Sequence, residues 1–361
     1  MTTLAPTITL SLSGDTTFPH LLLEHASARP DATAMREKDL GIWLSISWRQ
    51  LRDEVEAIAA GLASDGFARG QHFALVGENR PRLYAAMIAV QALGGIPVPL
   101  YQDAVADELA YVFDNAEIAF ALVEDQEQTD KLLEVRRHQP RLRRIMYDDP
   151  RGLRNYDDAS LMSYESLIAH GKEHLRQHPG FLAARIADIS PDDPAAMFYT
   201  SGTTGHAKGV VHTHRNLISM SAVASAMENL TSDEEVLAYL PMAWIGQNIF
   251  SYSQWLVCGF TVNCPESAQT VNNDMREIGP TYYFAPPRVL EALLTQVTIR
   301  MEDAAAPKRA LYRAAMAVAE RVGGRLLDGD RGVPWSDRLR YRLYDLLVYG
   351  QALSGDDIAV L

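Results

Sequence analysis

The segment Phe198-Tyr199-Thr200-Ser201-Gly202-Thr203-Thr204-Gly205-His206-Ala207-Lys208-Gly209-Val210-Val211 concentrates hydroxyls, glycines and one lysine between two apolar, strand-like runs. That composition suits a polyphosphate. Glycines let a backbone bend so that its N–H groups converge on an anion. Ser201, Thr203 and Thr204 carry hydroxyls that donate to phosphate oxygens, and Lys208 adds a movable point charge. A solvent-exposed Gly/Ser/Thr loop would share the composition but not the framing by two apolar runs and a closing lysine.

The nucleotide-binding P-loop, G-x-x-x-x-G-K-[ST], does not fit. Aligned on Lys208, it requires glycine where Ala207 stands and Ser or Thr where Gly209 stands. A P-loop also runs from strand to helix. Here Val210-Val211-His212-Thr213-His214 reads as a second strand, which predicts a phosphate loop at the tip of a hairpin.

The segment resembles the signature loop of the adenylate-forming superfamily, which holds acyl-CoA synthetases, luciferases and peptide-synthetase adenylation domains. Its pattern, Tyr-Thr-Ser-Gly-Thr-Thr-Gly-x-Pro-Lys-Gly-Val, matches at every position except Ala207, which replaces proline. Leu240-Pro241-Met242-Ala243-Trp244 is similar to a second core motif beside the acyl pocket, where histidine is common in place of Trp244. Pro97–Tyr101 and Pro280–Glu291 resemble segments of long-chain fatty acyl-CoA ligases.

The resemblance implies an α/β fold of two subdomains with mainly parallel, helix-covered sheets around a cleft. The subdomains fall at roughly 18–190 and 191–361, after a loose tail over 1–17. It further implies ATP, Mg2+ and CoA as cofactors, and a fatty acid converted to an acyl-adenylate and then to a thioester. Thr200, Ser201, Gly202, Thr203, Thr204, Gly205 and Lys208 would hold the ATP phosphates, with Lys208 as the stabilising charge. Trp244, Gly246 and Gln247 would line the acyl pocket, and no residue is assigned to a metal. Aryl-acid and amino-acid adenylating enzymes are the alternative within the superfamily.

Three elements of the pattern are not found before Leu361: Tyr-Gly-x-Thr-Glu, a later ribose-binding Asp, and a small C-terminal domain with its lysine. The expectation is an N-terminal portion of the fold that alone catalyses poorly or acts as a binding remnant. A carboxylate approaching an α-phosphate needs positive charge and a positioned nucleotide.

Bulk properties agree with an enzyme of small molecules. The chain has 361 residues, 47% hydrophobic and 22% charged, which is globular composition. A net charge of −13 disfavours nucleic acid as a partner. The basic runs Arg136–Arg144 and Arg338–Arg342 read as solvated helix faces. Cys258 and Cys264 lack zinc-pair spacing and predict reduced thiols in a cytoplasmic protein. His212 and His214 could share a strand face, but no further metal ligand lies nearby in sequence; a hydrogen-bonding role at the strand end is expected. No signal peptide or membrane span is read, although a long-chain acid could bring the protein to a bilayer surface.

The elements that must position these residues follow from periodicity. Helices are predicted at Phe18–Arg29, at Ile46–Asp65 with Ser47 as a possible N-cap, and at Asn79–Leu93 with Pro81 in its first turn. Strands at His72–Gly77 and Ile96–Leu100 complete a βαβ unit. Helices at Ala106–Asn115 and Gln126–Arg137 alternate with strands at Ala119–Glu124 and Arg144–Tyr147. After the phosphate segment come helix Asn216–Asn229, strand Val236–Leu240, helix Gly246–Cys258, strand Phe260–Asn263, helix Val271–Ile278 and strand Thr281–Phe284. Pro287–Val348 reads as helical, broken at Pro307 and at Gly329–Trp335.

Overall fold

Strand and helix alternate through most of the computed structural model, which describes residues 14–200, 207–330 and 332–349. The chain divides into two compact units, Met1–Ala268 and Gln269–Leu361.

The first unit opens with α1 (Phe18–Ala28) and a hairpin of β1 (Thr33–Asp39) and β2 (Ile42–Ser47). Helix α2 (Trp48–Ser64) begins with a capping box: the Ser47 hydroxyl accepts from the Gln50 N–H, and the Gln50 side chain accepts from the Ser47 N–H. The βαβ unit then appears as β3 (His72–Val76), α3 (Pro81–Ala92) and β4 (Ile96–Leu100). The alternation continues through α4 (Ala106–Asn115), β5 (Phe120–Val123), α5 (Gln126–His138), β6 (Arg144–Tyr147), β7 (Leu161–Ser163), α6 (Tyr164–Gln177) and α7 (Phe181–Ala187). A second hairpin, β8 (Pro194–Thr200) and β9 (Lys208–Thr213), leads into α8 (His214–Glu228) and β10 (Glu235–Leu237). Short helix α9 (Ile245–Gln247) runs through a π-helical stretch, Asn248–Ser253, into α10 (Gln254–Cys258), and β11 (Thr261–Cys264) follows.

Six of the eight strand pairings are parallel, which makes this an α/β fold of mainly parallel sheets. One sheet runs β4-β3-β5-β6-β7 and the other β10-β11-β1-β2. The first is apolar on both faces, as parallel strands covered by helices must be. Strand β4 carries Pro97 and Pro99 without loss because it ends the sheet. The Ile96 N–H points inward to Gln71 O, so the alternate proline nitrogens face away from β3. Between sheets and helices sits an aromatic cluster in which Trp48 and Trp255 stack at 5.2 Å, and Trp255 Nε1 donates to Ala34 O. It joins α2, α10 and β1 in one core.

The second unit, where described, is helical: α11 (Val271–Ile278), α12 (Pro287–Glu302), α13 (Ala306–Leu327), α14 (Trp335–Tyr344) and a π-helical turn at Asp345–Tyr349.

Several local expectations shift. Thr281–Phe284 forms no strand; only Tyr282 makes a single bridge. Aromatic residues favour strands only where a neighbouring strand completes the ladder. Strand β10 stops at Leu237 because Leu240-Pro241 enters a turn. The break in the helical run falls at 303–305, and Pro307 occupies the first turn of α13, where a missing N–H costs nothing. Helix α8 starts at His214, two residues early, because Thr213 caps it by accepting from the Asn216 N–H.

Candidate active site

The two apolar runs that flank the glycine-rich segment pair as a hairpin. Strands β8 and β9 pair antiparallel with Phe198 opposite Val210, Tyr199 opposite Gly209 and Thr200 opposite Lys208. Thr200 and Lys208 therefore form the last rung of the ladder, both exposed to solvent. Ser201, Gly202, Thr203, Thr204 and Gly205 lie outside the described residues. The hairpin is fixed from below: Ala195, Ala196 and Phe198 are buried, and Gln91 Nε2 of α3 donates to Ala195 O at 2.8 Å. Gly209 has a steric reason. A Cβ there would stand 2.8 Å from Met197 Sδ and 3.2 Å from Tyr199 Cζ, so the absent side chain makes room for its cross-strand neighbours.

His212 and His214 do not share a strand face, since His214 opens α8. His214 is buried, and its Nδ1 accepts from the Phe18 N–H at 3.3 Å. Burial lowers its pKa to about 3, so the ring is neutral.

Trp244, Gly246 and Gln247 lie at a second feature, the Leu240–Trp244 turn, closed by Trp244 N–H donating to Pro241 O. The Trp244 ring lies over Gly246, where a Cβ would meet ring carbons at 2.3 Å. Gln247 is buried, and its Nε2 donates to Asn79 Oδ1 and Tyr84 Oη at 3.3 and 3.2 Å. Tyr84 Oη donates to the same Asn79 Oδ1 at 2.9 Å, and Asn79 Nδ2 donates to Leu240 O at 2.8 Å. Asn248 Nδ2 donates to Met242 O. The turn is thus held from both ends by buried amides. Asn79 and Tyr84 carry no motif; the one sequence signal for Asn79 is its place in the first βα loop of an open sheet.

A third feature is a cleft of about 900 Å³ at the carboxyl ends of β3–β6, at the point where strand order reverses between β3 and β5. Ten carboxylates and four cations line it. Arg80 spans its floor, donating from Nε to Glu124 Oε1 at 2.7 Å and from its terminal nitrogens to Pro265 O and Glu266 O. Burial pushes the Glu37 carboxyl up to about 7, against the opposing pull of Arg80 at 3.9 Å. A cleft with that excess of carboxylates disfavours a triphosphate.

Comparison with known proteins agrees with this geometry. A family model described as AMP-binding enzyme matches residues 22–350. A long-chain-fatty-acid–CoA ligase of Mycobacterium bovis is 25% identical over 338 residues, spanning 91% of this chain and 52% of that protein. Another, of Bos taurus, is 26% identical over 329 residues, spanning 88% and 43%. The chain spans about half the length of the curated relatives it matches. Among solved structures, an anthranilate CoA ligase in complex with anthranoyl-AMP aligns with a TM-score of 0.64 at 19% identity, over 76% of this chain and 50% of that one. Acetoacetyl-CoA synthetase from Streptomyces lividans aligns with a TM-score of 0.62 at 21% identity, over 74% and 42%. These structural likenesses concern the fold, that of the N-terminal domain of adenylate-forming enzymes. With the signature hairpin, the sheet order and a family match across nearly the whole chain in agreement, the chain belongs to the AMP-binding enzyme family.

Proposed function

We propose that this chain serves an AMP-forming acid–CoA ligase whose acid is a fatty acid. A carboxylate oxygen attacks the α-phosphorus of ATP and expels pyrophosphate, giving an acyl-adenylate. The CoA thiol then adds to the acyl carbon and expels AMP, giving the thioester. Thr200, Ser201, Gly202, Thr203, Thr204, Gly205 and Lys208 hold the β- and γ-phosphates. Lys208 offsets charge as two anions approach, the step where electrostatic stabilisation counts most. Trp244, Gly246 and Gln247 form one wall of the acyl pocket, with Gln247 holding that wall in place through Asn79 and Tyr84.

The observation that supports this most directly is the register that sets Thr200 opposite Lys208 at the open end of the hairpin. ATP enters as its Mg2+ complex. Among the described residues no three His, Cys, Asp or Glu side chains gather as a metal site. Both cysteines are free thiols, which agrees with a reducing, cytoplasmic setting. Among the described residues no helix is long and apolar enough to cross a membrane, and contact with a bilayer surface during uptake of a long-chain acid belongs to the same reading.

The test is pyrophosphate exchange into ATP by a full-length version of the ligase, with fatty, aromatic and amino acids supplied in turn. Exchange with fatty acids supports the proposal. Exchange with aromatic or amino acids alone would reassign the substrate, and ATP binding without exchange would leave a nucleotide-binding module.

A further inference from the structure

Two side chains on one face of α4 reach both legs of the hairpin. Tyr111 and Asn115 are one helical turn apart and project to the same side. Tyr111 Oη donates to Ala207 O at 3.2 Å, on the leg that enters β9. Asn115 Oδ1 accepts from Tyr199 Oη at 2.6 Å, on the leg that leaves β8. Each tie lies one residue from the Thr200–Lys208 rung. The helix behind them is anchored, with Leu109, Val112 and Phe113 buried in the core cluster against which Met197 and Tyr199 also pack. Tyr199 reaches Asn115 because its cross-strand partner, Gly209, leaves space beside the ring.

One tie would add packing. Two ties, from one rigid helix face to both legs, fix the separation of the legs. We infer that α4 clamps the hairpin and that Tyr111 and Asn115 are positioning residues, holding Thr200 and Lys208 at a set spacing before a polyphosphate arrives. This rests on the phosphate reading of the hairpin. The energetic logic is preorganisation: a ligand that must first order its site binds more weakly by the cost of that ordering.

The test combines amide hydrogen exchange with ATP titration calorimetry on the whole chain, Tyr111→Phe, Ala207→Pro and the double variant. Loss of one neutral hydrogen bond predicts about fivefold faster exchange at the Thr200–Lys208 end of the ladder in Tyr111→Phe, with a similar loss of ATP affinity. Proline at 207 fixes φ and supplies the restraint covalently. In that background Tyr111→Phe changes both readouts by less than about twofold, which a general packing role for Tyr111 does not predict. Unchanged exchange at the ladder end in Tyr111→Phe overturns the clamp whatever ATP does. Equal acceleration at the β3 and β5 amides also overturns it, because that marks a general loss of stability. If ladder exchange responds as expected while the unaltered chain binds no ATP, the clamp stands as a restraint on the hairpin and the phosphate reading fails.

Discussion

Replacing Asn79 by leucine tests whether the Leu240–Trp244 turn is held by its buried amides. Asn79 Nδ2 donates to Leu240 O, while its Oδ1 accepts from Tyr84 Oη and Gln247 Nε2. Leucine keeps the same branched frame and number of side-chain heavy atoms, so the main change is loss of the polar groups, with some added methyl bulk. It strips a partner from one carbonyl, one phenol and one amide N–H, in a site where Asn79 is 5% and Gln247 2% exposed. Each orphaned buried group costs about 1–3 kcal/mol, and the total comes to about 3–6 kcal/mol with partial relaxation. Gln247→Leu removes one donor and leaves the Asn79–Tyr84 and Asn79–Leu240 bonds in place, so about 1 kcal/mol is expected. The double variant should be more stable than the sum of the two losses implies, because Gln247 is no longer present to be orphaned. Urea unfolding at constant slope gives these values. Hydrogen exchange at the Trp244 amide, which bonds to Pro241 O, should accelerate more in Asn79→Leu than in Gln247→Leu. An Asn79→Leu cost below about 1 kcal/mol, or strict additivity with Gln247→Leu, would refute the reasoning.

Lys208→Ala should weaken ATP binding by about tenfold or more in calorimetry, as expected for loss of a charge-assisted phosphate contact, with little change in urea midpoint because Lys208 is exposed. Gly209→Ala should displace the Tyr199 ring and Met197 and speed exchange at the ladder end about as much as Tyr111→Phe does, a result read in the same exchange experiment. Stability should fall on acidification below the ordinary histidine value of 6.5. Burial lowers the folded pKa of His214 to about 3, and burial with the Arg29 charge lowers that of His25 to about 4, so below 6.5 the unfolded chain takes up protons that the folded chain refuses. By about pH 4.5 each ring costs about 2–3 kcal/mol. Glu37, raised to about 7, opposes this with one proton against two. Urea unfolding across that range checks the slope, and His214→Asn should remove most of it, because the one remaining histidine proton is then offset by that of Glu37.

The parts of the fold legible in the sequence were those whose cause is local. Ser47 marks the start of α2 as its N-cap, and Pro81 marks the first turn of α3. Val210–Thr213 reads as a returning strand because two β-branched residues follow the glycine. The β1–β2 hairpin escaped notice because Thr33–Asp39 ends in Arg36-Glu37-Lys38-Asp39, a charged run that no apolar alternation identifies. Its place in the fold comes from parallel pairing with β11, which begins more than two hundred residues later. The candidate site divides in the same way. The residues proposed to hold phosphate form one continuous motif. The groups that hold it, Tyr111, Asn115, Asn79 and Tyr84, come from separate elements, and their partners lie 84–168 residues away along the chain except for the Asn79–Tyr84 pair. No spacing rule reaches across such distances.

The cleft between β3 and β5 shows how position and charge can point in opposite directions. Open α/β sheets commonly seat ligands at this reversal of strand order, and Asn79 and Arg80 stand there. Both are already committed: Asn79 to the Leu240 turn, and Arg80 to Glu124 and to the carbonyls that follow β11. With its hydrogen bonds spent on fixing that loop, Arg80 neutralises one of the cleft's carboxylates and has little left for a phosphate. A triphosphate entering there would face a clear excess of negative charge, ten carboxyl groups against four cations even with Glu37 partly protonated. At an effective dielectric near 20, each uncompensated like-charge pair about 8 Å apart costs about 2 kcal/mol before screening. The hairpin offers the reverse: an exposed lysine beside a hydroxyl, at the open end of a ladder. In this molecule the switch point holds the Leu240 turn and the β11 loop in place, and on the function proposed above anion recognition falls to the hairpin.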